Sequence, residues 1–183
     1  MFLLKMFKCE TVLGVTHGNV QVYYTTNKHS KDNYWNYTYT GTKYQCVELA
    51  RRYLIINRSI TFCSVPNAHN IFDLEHFYTI PNYKPTRIQK QLNGSHTAPQ
   101  IGDLIIWKPH GIFKNTGHVA IVVDIRESYI DIVEQNVENK KWPRGQNYSR
   151  RIPTYRVPNG GFWICDCYKD TEFLGWINIP YLK

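Results

Sequence analysis

At 183 residues, with 43% hydrophobic and 20% charged side chains, the chain is long enough to bury its own core and reads as one globular domain. No apolar run approaches the length of a membrane span, which excludes a helical membrane protein. The formal net charge of +8 suits anionic surfaces or substrates, but the pairs Arg51-Arg52 and Arg150-Arg151 are too few and too scattered to make nucleic acid an expected partner. Five cysteines, at positions 9, 46, 63, 165 and 167, form an irregular set with no Cys-x-x-Cys pair. That spacing speaks against a disulfide framework or a zinc knuckle and for thiols kept reduced.

The N-terminal Met1–Lys8 stretch is apolar but is cut by Lys5 and Lys8, and it lacks the core and cleavage site of a secretory signal. The sequons at Asn36, Asn57, Asn93 and Asn147 are accordingly read as chance, and the expected location is the cytoplasm. The abundance of Asn, Lys, Ile and Tyr fits an AT-rich genome, and a virion is the second location if the source is viral. Residues 11–24 read as a short extended pair around the turn-forming Thr16-His17-Gly18-Asn19. Residues 25–40 show no clear period and read as a long loop whose Tyr34, Trp35, Tyr37 and Tyr39 could wall a site.

An amphipathic helix is expected from Cys46 to about Asn57, because Cys46, Leu49, Ala50, Tyr53 and Leu54 recur on one face. A second helix is expected after Pro66, with Asn67 as its cap and Ile71, Leu74 and Phe77 buried. Residues 79–100 read as a surface connection. Strands follow at 102–107, 117–125, 128–136, 162–168 and 173–179. His17, His29, His69, His76, His96 and His110 lie in polar or loop settings and read as surface or structural residues.

Two places carry chemistry. Cys46 falls in the first turn of its helix, where unpaired N–H groups and the helix dipole stabilise a thiolate. Glu48, in the same turn, suits the dipole as well. Taken alone, the stretch favours the plainer reading of Cys46 as a small packed hydrophobe. In the strand region, a turn centred on residues 126–127 brings His118 across from Glu134, Gln135 or Asn136. If His118 lies opposite Glu134 or Asn136, it shares a face with both, and a carboxylate can brace the imidazole as a general base. If it lies opposite Gln135, that geometry is lost. A solvated pair of strand termini is the plain alternative. Gly117, just before the histidine, reads as room for a substrate backbone.

Together, Tyr44-Gln-Cys-Val-Glu-Leu-Ala-Arg-Arg52, Gly117-His-Val-Ala-Ile121 and Glu134-Gln-Asn136 resemble the signatures of CHAP domains, the cysteine, histidine-dependent amidohydrolases/peptidases. Within that family the chain most resembles the amidase domain of glutathionylspermidine synthetase/amidase, through further stretches from about residue 11 to 179, including Leu104–Trp107 and Leu174–Trp176. The resemblance implies an α+β, papain-like (NlpC/P60-type) fold with N-terminal helices packed on an antiparallel β-sheet, as a single domain over 1–183. It implies Cys46 as nucleophile, His118 as general acid and base, and Glu134 as the group that orients it. Gln45 and the Cys46 N–H would form the oxyanion hole, Asn136 would support the strand end, and Arg51 would contact substrate. No metal or organic cofactor and no obligate protein partner is implied.

The implied substrate is a glutathione–polyamine amide such as glutathionylspermidine, and only the hydrolytic half of that chemistry, since no ATP-grasp segment is read in the chain. The alternatives are a peptidoglycan amidase or endopeptidase, which many CHAP domains are, and a binding module that keeps the fold without catalysis. Segments 25–40 and 79–100 match the family poorly.

Overall fold

The computed structural model describes residues 10–26, 31–165 and 167–181. Cys9, His29 and the N-terminal Met1–Lys8 stretch lie outside them. Two hairpins come first: β1 (Val12–Val15) with β2 (Gln21–Tyr23), and β3 (Asp32–Trp35) with β4 (Thr38–Thr42). Helix α1 (Cys46–Arg58) follows, then β5 (Ile60–Thr61), a 3-10 turn over Ala68–Asp73, and β6 (His76–Thr79) and β7 (Pro85–Arg87). β5, β6 and β7 form a small sheet.

The main sheet has seven strands, all antiparallel. They are β8 (Gln89–Leu92), β9 (Leu104–Trp107), β10 (His118–Ile125), β11 (Tyr129–Val133), β12 (Arg150–Arg156), β13 (Phe162–Ile164) and β14 (Phe173–Asn178). Their spatial order is β13-β12-β11-β10-β9-β14-β8.

Strand alternation sends β9 and β10 side chains to two cores. Leu104, Ile106, Val119 and Ile121 pack under α1 with Leu49, Ala50, Tyr53 and Leu54. Ile105, Trp107, Ala120 and Val122 face the opposite side with Ile132, Ile152 and Trp176. The expected apolar stripe of α1 is therefore the face that packs on the sheet. The helix ends at Ser59, whose left-handed backbone (φ 53°) lets its N–H bond the Leu54 carbonyl.

The other side of α1 is not solvated, as an amphipathic reading supposes. Glu48, Arg51 and Arg52 are all buried, beneath the two early hairpins. Glu48 Oε1 and Oε2 accept from Arg52 Nε (2.6 Å) and Nη2 (3.1 Å), and further bonds come from Asn33 Nδ2, Thr40 Oγ1 and Gln135 Nε2. The acid expected to serve the helix dipole is thus a hub that ties α1 to β3, β4 and the end of β11.

Four sequence expectations need correction. The N-terminal helices reduce to α1 alone, because the segment after Pro66 makes a six-residue 3-10 turn. Ile71 of that turn is buried, but Phe77 is buried as a residue of β6. The 25–40 segment is not all loop. Asn36 (φ 44°) and Tyr37 (φ 65°) take the left-handed conformations that close a two-residue hairpin, and Trp35 pairs with Thr38 around them. The 79–100 segment contributes β8, which pairs with β14 at one edge of the main sheet. Finally β12, absent from the expected strands, lies between β11 and β13. Its alternation is clear, Ile152 and Thr154 being buried between exposed neighbours, but Pro153 argues against an interior strand.

The Glu48 hub generates a stability prediction. Glu48→Ala leaves the Arg52 guanidinium buried without its carboxylate, and should cost about 3–5 kcal/mol. A urea titration checks this, with a fall in the unfolding midpoint as the expected result and an unchanged midpoint as the contrary one.

Candidate active site

The site forms where the start of α1 meets the start of β10 and the end of β11. Near the hairpin turn, Asp124 pairs with Asp131 and Ile125 with Ile130, one residue out of step with the register further along the strands. Carried on unchanged, that register would put Gln135 rather than Glu134 on the His118 face. A bulge at Val123 corrects it, so that Val122 pairs with Ile132 and Ile121 with Val133. Continuing this second register sets His118 across from Asn136 and on the face of Glu134.

Three consecutive residues then point in three useful directions. Glu134 Oε2 accepts from His118 Nε2 at 3.1 Å. Gln135 turns to the opposite face, where its Nε2 donates to the Gln45 carbonyl (3.2 Å) and to Glu48 Oε2 (3.0 Å), while its Oε1 accepts from the Tyr23 N–H (2.8 Å). Asn136, in a left-handed conformation (φ 64°), donates through Nδ2 to Gln45 Oε1. The end of β11 thereby fixes the imidazole, the start of α1 and the Gln45 amide together.

The Cys46 thiol is hydrogen-bonded to His118 and also receives the Val119 and Val47 N–H groups. Since His118 Nε2 is committed to Glu134, Nδ1 is the ring nitrogen left for the thiol. Burial alone would raise the Cys46 pKa. The charge and hydrogen bond of His118, with the two N–H groups, outweigh it and leave the thiol below its ordinary value. Burial likewise depresses His118, yet the Cys46 charge and the bonds to Cys46 and Glu134 lift it to about 9. Burial pushes the Glu134 carboxyl up, and His118, Tyr168 and Arg150 bring it below the carboxylate range. The two shifts in the pair agree in direction: they favour thiolate beside imidazolium.

His118 is 2% exposed, its ring stacked on Phe113 (4.5 Å between centroids, 14° between planes) and flanked by Trp107. At Gly117, expected to leave room for a substrate, the surrounding protein itself demands glycine. Its φ is +64°, and a Cβ there would meet the Trp107 carbonyl at 2.4 Å and His69 Cβ at 2.8 Å, so the position needs glycine to bring β10 against its neighbours.

Cys46 and His118 lie at a cleft of about 480 Å³ whose walls include Gln45, Tyr39, Arg51 and Asn136. Arg51 is 2% exposed, and Nε, Nη1 and Nη2 donate to the carbonyls of Phe62, Thr40 and Cys63. It holds the cleft wall as well as lining it. Among the described residues no group of His, Cys, Asp or Glu is arranged to hold a metal ion, and no helix is long and apolar enough to cross a membrane. Cys63 and Cys165 are free thiols.

Sequence reading passed over four contributors: Phe113, Gln135 as a link to α1, Arg150 and Tyr168. Arg150 Nε donates to Glu134 Oε1 at 3.0 Å, and the Tyr168 hydroxyl donates to Glu134 Oε2. Arg150 pairs across from Ile132, which puts it on the Glu134 face. Recognising β12 from its alternation would have been the signal.

The CHAP domain family matches residues 33–136. The chain is 37% identical over 178 residues to the bifunctional glutathionylspermidine synthetase/amidase of Escherichia coli (strain K12), covering 91% of this chain and 28% of that protein. It is 30% identical over 145 residues to the glutathionylspermidine synthase of Crithidia fasciculata, covering 78% of this chain and 20% of that protein. It is 28% identical over 179 residues to the trypanothione synthetase of the same organism, covering 92% and 26%. The chain therefore spans less than a third of the length of each of these relatives.

The pair of shifts predicts how the thiol reacts. At neutral pH, Cys46 should alkylate with iodoacetamide faster than Cys63, Cys165 or Cys167, resolved by peptide mass spectrometry. His118→Ala removes the charge and the side-chain bond that lower the thiol pKa and leaves only the Val119 and Val47 N–H groups against burial. The Cys46 rate should then drop about tenfold or more, one pKa unit being tenfold in thiolate. Equal rates before and after the substitution would contradict the thiolate–imidazolium assignment.

Proposed function

The chain belongs to the CHAP domain family, and from that premise we propose that it is a cysteine amidase that cleaves the amide bond of glutathionylspermidine or a similar glutathione–polyamine conjugate. The observation that carries this reading is the hydrogen-bonded series Cys46, His118, Glu134 at a cleft, with the thiol pKa lowered and the imidazole pKa raised. The substrate comes from the likeness to a protein named as a glutathionylspermidine synthetase/amidase. Residues 1–183 would act as one CHAP amidase unit.

In this mechanism the Cys46 thiolate attacks the amide carbonyl and a C–S bond forms. The carbonyl oxygen takes the negative charge, and it is received by the Cys46 N–H, which at the first helical position has no intrahelical acceptor. The Gln45 Nε2 group joins it, because Asn136 already occupies Gln45 Oε1. A donor of this kind contributes about 2.7–4 kcal/mol of barrier lowering. His118 gives its proton to the amine as the C–N bond breaks, leaving a thioester on Cys46. The neutral imidazole then takes a proton from water, the hydroxide adds to the thioester, and the thiolate leaves with His118 again protonated.

Glu134 keeps the imidazole in the tautomer this cycle needs. Arg51, a buried cation at the cleft wall whose donors are held by backbone carbonyls, would attract an anionic group of the glutathionyl part by its charge. A thiol nucleophile and a glutathione conjugate both suit a reducing compartment such as the cytoplasm.

The test is spermidine release from purified glutathionylspermidine by wild type and Cys46→Ala side by side. Release by wild type alone is the expected result. Activity should fall on the alkaline side as His118 loses its proton near pH 9, where its pKa lies. Full release by Cys46→Ala would end this mechanism. No release by either protein, with Cys46 still alkylating rapidly, would turn the substrate search to peptidoglycan fragments.

A further inference from the structure

Glu134 is 7% exposed and carries more partners than an orienting carboxylate requires. From β10, His118 Nε2 reaches Oε2. From β12, Arg150 Nε reaches Oε1 at 3.0 Å. From the segment after β13, the Tyr168 hydroxyl reaches Oε2. Arg150 Nε also lies 3.2 Å from the Tyr168 oxygen, and its guanidinium sits 4.5 Å from the centre of the Tyr168 ring. That ring packs edge-on against Phe113 (5.0 Å) and Trp107 (5.6 Å), two of the rings that enclose His118. One tyrosine therefore touches both the carboxylate and the walls of the imidazole pocket.

The charges explain why such a cluster is needed. Thiolate, imidazolium and carboxylate sum to one net negative charge in a water-poor site. A buried carboxylate in that field tends to take up a proton. Arg150 brings the sum to zero. Its own outer neighbour is Glu138, bonded to Nη2 at 3.0 Å and 64% exposed, so that charge is screened by solvent. Among the described residues, Cys167 is a further titratable neighbour, beside Tyr168.

We propose that Arg150 and Tyr168 are positioning residues of the active site. Arg150 supplies the positive charge that keeps Glu134 ionised and the Cys46 thiolate favourable, and Tyr168 fixes Glu134 Oε2 against His118 Nε2. Burial and the charge of Glu134 raise the Tyr168 phenol above its ordinary pKa, so it stays a donor throughout the working range. This inference rests on the cysteine-amidase reading and extends it to two residues outside the family signatures.

Arg150→Met, Arg150→Lys and Tyr168→Phe test it. The Arg150 side chain is 20% exposed and borders a second cavity of about 180 Å³, so a methionine or lysine has room there. Tyr168→Phe keeps the ring and removes only the hydroxyl. The readout is the pH dependence of Cys46 alkylation by iodoacetamide, which needs no substrate, followed by kcat and KM on glutathionylspermidine.

Loss of the Arg150 charge should move the acid limb of alkylation up by about one pH unit. Arg150→Lys should restore most of it. Tyr168→Phe should move the limb the same way by less and lower kcat with KM unchanged. If Arg150→Met loses its cooperative thermal transition, the lysine and phenylalanine variants decide the matter. An acid limb unmoved in every folded variant overturns the inference and leaves the amidase reading standing. Absence of turnover in wild type overturns the amidase substrate instead, and the alkylation profiles still report on Arg150 and Tyr168.

Discussion

The site depends on the register between β10 and β11. Side chains on a strand alternate faces, so a slip of one residue would exchange Glu134 for Gln135 beside His118. The bulge at Val123 sets this register after the turn has begun one residue out of step. It also accounts for Ile125 packing with the Trp107 core while Ile121 packs under α1. The same register makes Gln135 the bridge to Gln45 and Glu48. A single local irregularity thus aligns His118, its carboxylate and the helix that carries Cys46.

Charge inside the fold follows one rule at two places. Glu48 and Glu134 are both buried carboxylates, and each is met by an arginine and by neutral donors. At Glu48 the result is mechanical, since four elements converge on one side chain and hold α1 in place. At Glu134 an imidazole shares the carboxylate, and the result is chemical: the proton that leaves the thiol has a stabilised place to rest. Arg52 and Arg150, the arginines that meet these two carboxylates, account for part of the positive charge that composition alone would assign to the surface.

Much of this was legible in the chain. The stripe of Cys46, Leu49, Ala50, Tyr53 and Leu54 marks α1, and the runs around Ile105, Val119 and Ile132 mark the central strands, because each buries a regular face. The pairing of His118 with Glu134 could be narrowed to a one-residue choice. It could not be decided, because a bulge leaves no composition signal in so uniform a run of Val and Ile. The segment after Pro66 carries helical spacing for Ile71 and Leu74, yet tertiary packing makes it a 3-10 turn that abuts Thr116 through His69. β12 was hidden by Pro153, and with it went Arg150, the one charged contact to Glu134 that no motif contains. Burial of Glu48, Arg51 and Arg52 was hidden for a related reason: polar residues on a helix read as solvated until the hairpins that cover them are placed.

The central claim is that Cys46 forms a covalent acyl intermediate under the control of His118 and Glu134. Rapid-quench mass spectrometry of the protein mixed with glutathionylspermidine tests it most directly. The account predicts a transient glutathionyl adduct on the peptide containing Cys46, released by hydroxylamine as a thioester is, and absent from His118→Ala. Turnover with no such adduct, or an adduct on Cys63, Cys165 or Cys167, would contradict it.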